Sequence, residues 1–116
     1  MVAETPEERV RQAIISYLHE KLNIPLGLMS IEKAHENQGA VKRTDLVIYD
    51  RTGNPWMVVE CKAPHITLRQ TALDQVARYN QVLKAPYILV SNGSTHFCAE
   101  IIGGKVLFLS TLPSWV

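Results

Sequence analysis

Asp45-Leu-Val-Ile-Tyr-Asp50, Arg51-Thr-Gly-Asn54 and Pro55-Trp-Met-Val-Val-Glu60-Cys61-Lys62 follow one another without a break. Two apolar runs flank a polar turn that contains glycine, the signature of a β-hairpin. With Arg51 to Asn54 as a four-residue loop, Asp50 and Pro55 close the turn and Asp45 faces Glu60. Facing Cβ atoms in an antiparallel pair lie only ~4.5–5.5 Å apart. Glu60 and Lys62 are two residues apart and share a strand face, while Val59 and Cys61 point the other way. The hairpin therefore gathers two carboxylates and an ammonium on one patch.

As structure alone, such a patch is costly. Like charges directly opposite destabilise a sheet, and charges on a half-buried strand need partners. A divalent cation between the carboxylates removes the repulsion; Mg²⁺ suits the position because it prefers oxygen ligands and keeps several waters. The alternative is structural, with Lys62 bridging both acids on a solvated face.

Outward from the hairpin, the chain alternates helical and strand patterns. Thr5 is a natural N-cap, Pro6 suits the first helical position, and Glu7 and Glu8 suit the positive end of the helix dipole. Val10, Ala13, Ile14, Tyr17, Leu18 and Leu22 recur at helical spacing, and the helix is expected to end near Asn23, before Pro25. Glu7 lies on the apolar stripe and Glu8 about 100° round from it; capping explains either acid as well as a site does. Leu28 to Ala34 reads as a first strand, Val41 to Tyr49 as a second and Trp56 to Lys62 as a third. A second helix is expected from about Thr67 to Lys84, with Leu68, Ala72, Gln75, Val76, Tyr79 and Leu83 on one face. Gln75 and Tyr79, four apart, are neighbours there, and a buried glutamine needs hydrogen-bond partners. Pro86 to Ser91, Thr95 to Ile101 and Val106 to Leu109 read as further strands, divided by Asn92-Gly93 and Gly103-Gly104. Three consecutive strands predict a meander, and the strand–helix–strand step that follows predicts a parallel pair. The tail Pro113-Ser-Trp-Val is open to fraying or docking.

Composition limits the function classes. The 116 residues suffice for one domain with its own core, and 47% hydrophobic with 20% charged residues is ordinary for a soluble globular chain. No apolar run approaches the ~18 residues of a membrane span, and the start has no secretory pattern. Two cysteines make no disulfide framework, so a reducing cytoplasm is expected. A net charge of +1 excludes a strongly basic nucleic-acid binder. Basic side chains cluster locally at Lys42 and Arg43 beside Asp45, and at Arg69, Arg78 and Lys84; ordinary solvated charge explains any one of them. Gly103-Gly104-Lys105 lacks the phosphate-loop pattern, so no NTPase motor lies in these residues. Cys61-x3-His65 has zinc-ligand types, but Cys61 belongs to the core face.

Asp45, fourteen intervening residues and Glu60-Cys61-Lys62 resemble the Asp…Glu-x-Lys core of the PD-(D/E)xK nucleases. Gln75-Val-Ala-Arg-Tyr79 is similar to the Gln-xxx-Tyr motif of the subgroup that contains the N-terminal nuclease domain of type I restriction enzyme R subunits. The opening Thr5-Pro6-Glu7-Glu8-Arg9-Val10-Arg11-Gln12 resembles the start of that domain, and the likeness spans about residues 5 to 101. Thr44 stands where the motif name has proline. The resemblance implies an α/β (α+β) fold with a restriction-endonuclease-like core: a mixed sheet of five or six strands flanked by two helices. It also implies a metal-dependent DNA endonuclease of the cytoplasm, acting with a helicase or translocase region or other restriction subunits. Asp45, Glu60 and the Cys61 carbonyl would hold Mg²⁺, or Mn²⁺ in its place. Lys62 would act on the attacking water or the phosphate, and Glu8 and Gln75 would support the shell. Lys42, Arg43, Arg69 and Tyr79 are the expected DNA contacts. The competing class is a non-catalytic DNA- or partner-binding module on the same fold.

Overall fold

The structure is a computed structural model that describes residues 5–31 and 46–115, the side chain of Tyr79 excepted. Helix α1 (Pro6–Leu22) starts as its sequence dictates. The Thr5 hydroxyl accepts the Glu8 N–H at 3.0 Å, and Pro6 occupies the first turn, where its missing donor costs nothing. The helix stops at Asn23, whose left-handed backbone (φ 61°) turns its N–H to the Leu18 carbonyl. A short 3₁₀ turn, Leu26–Leu28, leads into strand β1 (Met29–Ile31), so Leu28 precedes the strand expected to begin with it. The expected continuation of that strand to Ala34 falls outside the described residues.

Strands β2 (Leu46–Tyr49) and β3 (Pro55–Cys61) form the hairpin. Its pairs, Leu46 with Val59, Val47 with Val58 and Ile48 with Met57, are those a four-residue loop produces. The route to them differs from the expectation. Tyr49 pairs with Pro55, and the Asp50 N–H donates to the Asn54 carbonyl at 2.8 Å, so the loop is Arg51 to Gly53. A bulge at Trp56 restores the register by adding one residue to β3. The Asp50 carboxylate organises the turn, accepting from the Thr52 hydroxyl (2.7 Å) and from the Thr52 and Asn54 N–H groups. The Thr52 hydroxyl first, then the Asn54 N–H, hold this carboxyl below its usual pKa.

Helix α2 (Gln70–Leu83) crosses from β3 to β4 (Tyr87–Ser91), which runs parallel to β3. Strands β5 (His96–Ile102) and β6 (Lys105–Leu109) complete a six-stranded mixed sheet in the order β1-β2-β3-β4-β5-β6. Gly103 and Gly104 close the last hairpin with φ values of 57° and 79°, both in the left-handed region that a two-residue hairpin of this kind needs. The fold is therefore the mixed sheet with two helices that the element order predicts, the restriction-endonuclease-like α+β core that the resemblance implies.

Alternation along the strands sorts the core into two layers. Leu46, Ile48, Met57, Val59, Cys61 and Leu89 pack against Val10, Ile14 and Leu18 of α1. Val47, Val58, Ile88, Val90 and Ala99 pack against Leu73 and Val76 of α2. The bulge puts Trp56 and Met57 in the same layer. There Trp56 meets Tyr87 and, edge-on at 4.8 Å between ring centres, Trp115, so the C-terminal tail docks.

The sheet-facing stripe of α2 corrects the expected one. Leu73, Val76 and Asn80 are buried, Ala72, Ala77 and Leu83 half-buried, and Gln75 is exposed. The helix starts three residues later than expected, and Leu73 rather than Gln75 fills the contact with the sheet. The buried polar group on the stripe is Asn80: its side-chain amide donates to the Ala85 carbonyl at 2.7 Å and accepts the Ala85 N–H at 2.8 Å. It thereby caps the turn into β4. Asn80→Ala strands both backbone groups, with an expected loss of about 2 kcal/mol or more, read from urea unfolding midpoints; an unchanged midpoint contradicts the clamp.

Candidate functional site

Strands β3 and β4 are parallel and end side by side, with Cys61 paired to Ser91. The Lys62 N–H extends the ladder by one bond to the Ser91 carbonyl at 2.8 Å. In open sheets with parallel strands, the carboxyl ends of those strands are where ligands bind, because the ladder stops there and the chain turns away.

Glu60 occupies this edge. It pairs with Val90, lies on the α2 side with Val58, and is 3% exposed. A carboxylate at that depth needs charge and hydrogen-bond partners. Lys62 supplies one: its ammonium Nζ stands 3.2 Å from Glu60 Oε2, with the side chain largely covered. The shared face of Glu60 and Lys62 is thus as the strand period requires, and Cys61 between them is buried in the α1 layer. That burial separates Cys61 from the exposed His65, so the pair is no zinc site.

At the same edge, α1 approaches the turn after β4. A Cβ on Gly93 would stand 3.4 Å from the Val10 side chain. Glu8 and Glu7 lie in the first turn of α1 and are both held by Arg11: Glu8 in an i,i+3 ion pair and Glu7 at 3.8 Å. Gln12 donates to the other Glu8 oxygen at 2.7 Å. Sequence reasoning passed over Arg11, whose side chain is 13% exposed. Its spacing of three and four from the two acids was the available signal. The Glu8 carboxylate is therefore oriented by Arg11 and Gln12 of its own helix, while its backbone N–H makes the capping bond.

The remaining predicted residues are less concentrated. Gln75 is exposed on α2, and Arg69 is exposed at that helix's N-cap, with no side-chain capping bond. Lys42, Arg43 and Asp45 lie outside the described residues, as does the Tyr79 side chain. The facing of Asp45 and Glu60 falls with them; the described register runs as expected up to Leu46 opposite Val59. Among the described residues no group of three or more His, Cys, Asp and Glu side chains could hold a metal ion. The donors that are described, the Glu60 carboxylate and the backbone carbonyl of Cys61, are oxygens, the chemistry that Mg²⁺ takes.

Two features near the edge take no part in this constellation. A groove of about 740 Å³ runs between α1 and the β5–β6 hairpin, lined by Tyr17, Leu22, Cys98, Leu109 and Leu112 among others. Burial pushes the Cys98 thiol up to about 11, so it stays protonated and is a poor ligand or nucleophile. No helix among the described residues is long and apolar enough to cross a membrane.

No curated protein matches the chain. The family model described as "Type I restriction enzyme R protein N terminus" matches residues 6–113, from the first turn of α1 to the docked tail. With a match over nearly its whole length, and the sheet edge described above, the chain belongs to the family of type I restriction enzyme R protein N termini.

Proposed function

We propose that this chain is a metal-dependent DNA endonuclease domain that hydrolyses phosphodiester bonds, and that the β3 edge is its active site. The observation that carries the reading is the buried Glu60 carboxylate, 3.2 Å from Lys62, at the carboxyl end of β3 in a member of a restriction-enzyme family. Asp45, Glu60 and the Cys61 carbonyl would hold Mg²⁺, or Mn²⁺ in its place. When bound, the metal supplies an activated water and neutralises charge at the phosphate. Lys62, tethered by Glu60, presents its ammonium to the attacking water or to the phosphate oxygens. Glu8 supports this shell, and Lys42, Arg43, Arg69 and Tyr79 contact DNA; Gln75, exposed on α2, is left out of it.

A net charge of +1 makes the chain's own hold on DNA weak. Partners follow from that: a translocase region or other restriction subunits deliver the DNA, and the chain cuts it. The test is conversion of supercoiled plasmid to nicked and linear forms by the purified chain, in Mg²⁺, in Mn²⁺ and in EDTA. Cutting is expected with either metal and is absent in EDTA. Salt-dependent DNA binding with no cutting under either metal would instead identify a binding module, and cutting in EDTA would exclude this site.

A further inference from the structure

Asn92 is 6% exposed, yet it sits in the turn between β4 and β5, where an Asn-Gly pair ordinarily needs no burial. Its side chain accounts for the difference. Oδ1 accepts the N–H groups of Ser94 (3.0 Å) and Thr95 (2.8 Å) within the turn. With the Ser94 hydroxyl (3.3 Å) a third donor on that side, Nδ2 is left to face the other way. There it donates to the carbonyl of Ile66 at 2.7 Å, twenty-six residues back in the chain.

Ile66 belongs to the segment that leaves β3 immediately after Lys62. This segment is bent on itself, with the Ile66 N–H donating to the Ala63 carbonyl at 3.0 Å. It is fastened at both ends to two successive residues of the β4 terminus: the Lys62 N–H to the Ser91 carbonyl, and the Ile66 carbonyl to the Asn92 side chain. Proline at position 64 removes one backbone donor, so these bonds carry much of what holds the segment. Without the second fastening, the chain between Lys62 and the buried Leu68 loses one of its two bonds to the β4 terminus.

We propose that Asn92 is a positioning residue for Lys62: it pins the 62–66 segment to the β4 terminus and so fixes the ammonium beside Glu60. The catalytic side of this inference rests on the nuclease reading; the mechanical side does not. Fixing matters because a displacement of about 1 Å in a reacting group can cost on the order of a hundredfold in rate.

Asn92→Asp separates the two jobs of the side chain. A carboxylate still accepts from Ser94 and Thr95, so the turn keeps its form, but it cannot donate to Ile66. Asn92→Ser, whose hydroxyl also caps turns, is run beside it in case the added charge unfolds the chain. Hydrogen exchange in the intact chain reads the mechanical claim. The Lys62 and Ile66 amides are expected to exchange at least about tenfold faster in the variants, while the Val58 and Ile88 amides, in the sheet centre, stay as in wild type. Cleavage reads the catalytic claim: kcat falls roughly ten- to a hundredfold with KM nearly unchanged. Unchanged exchange at Lys62 overturns the proposal whatever the cleavage result. Faster exchange with unchanged kcat, in a chain that Lys62→Ala inactivates, overturns the catalytic half. Absence of cutting by wild type sinks the nuclease reading and takes the catalytic half with it, and the exchange rates then decide the mechanical half alone.

Discussion

Lys62→Met and Lys62→Ala are expected to lose Mg²⁺-dependent cutting by roughly 10²–10³-fold, the loss that follows removal of one positioned charge-stabilising donor from an active site. The ammonium is held 3.2 Å from Glu60, and the Lys62 side chain is largely covered. The same substitution also has a structural effect, which must be separated from the chemical one. It takes from the buried Glu60 a charge partner. The expected destabilisation is roughly 1–3 kcal/mol, between the small value of an exposed pair and the larger one of a pair wholly buried. Lys62→Met keeps the apolar stem, and Glu60→Gln neutralises the carboxylate. The double variant therefore recovers part of the lost melting temperature, because no buried charge has lost its partner. It recovers none of the cutting. Nicking by Lys62→Met at the wild-type rate would falsify the role given to Lys62. Parallel recovery of melting temperature and cutting in the double variant would show that the pair is purely structural.

Asp45→Asn is the second decisive substitution. The proposal sets Asp45 opposite Glu60, one pair beyond Leu46 and Val59. Two carboxylates held together for a metal repel one another in its absence, and a site of this kind gives up stability for function. In EDTA, Asp45→Asn removes one charge, keeps the shape and melts at the same temperature as wild type or higher. Wild type gains from Mg²⁺ by mass action: with a dissociation constant of about 1 mM and metal at about 10 mM, the gain is roughly 1.4 kcal/mol. That corresponds to several degrees in melting temperature for a domain of this size. The variant is expected to lose the gain. If Asp45 instead serves structure, paired with Lys62 or Arg43, the signs reverse: Asp45→Asn destabilises by about 1 kcal/mol or more, and Mg²⁺ leaves wild type unmoved. Four melting curves, two proteins each in EDTA and in Mg²⁺, distinguish the two.

Local chemistry is legible wherever one residue's neighbours in sequence are also its partners. Thr5, Pro6 and Asn23 delimit α1 because a capping hydroxyl, a missing donor and a left-handed stop are properties of single residues in a helix end. The shared face of Glu60 and Lys62 follows from the period of two in a strand, with no knowledge of the rest of the chain. The meander, the parallel β3–β4 step and the two-residue glycine hairpin follow from element order and turn chemistry.

Other features depend on choices among near-equal alternatives, which packing settles. The hairpin loop is three residues rather than four, and a bulge at Trp56 compensates, because Trp56 is thereby turned into the α1 layer against Tyr87 and Trp115. The register that sets the face of Glu60 survives because loop and bulge offset each other. Helical spacing put Gln75 on the apolar stripe of α2 with Leu68, Ala72, Val76, Tyr79 and Leu83. The packed helix is turned instead so that Leu73 meets the apolar sheet and Asn80 meets the two backbone groups of Ala85, which leaves Gln75 exposed.

The order of the elements, the two ends of α1 and the placing of Glu60 with Lys62 are written in the chain, all set by interactions a few residues long. The burial of Glu60, the start and orientation of α2 and the fastening of Ile66 to Asn92 come from packing. Each of these joins segments that meet only when the β3–α2–β4 crossover closes, and no local pattern encodes the partner at the far end.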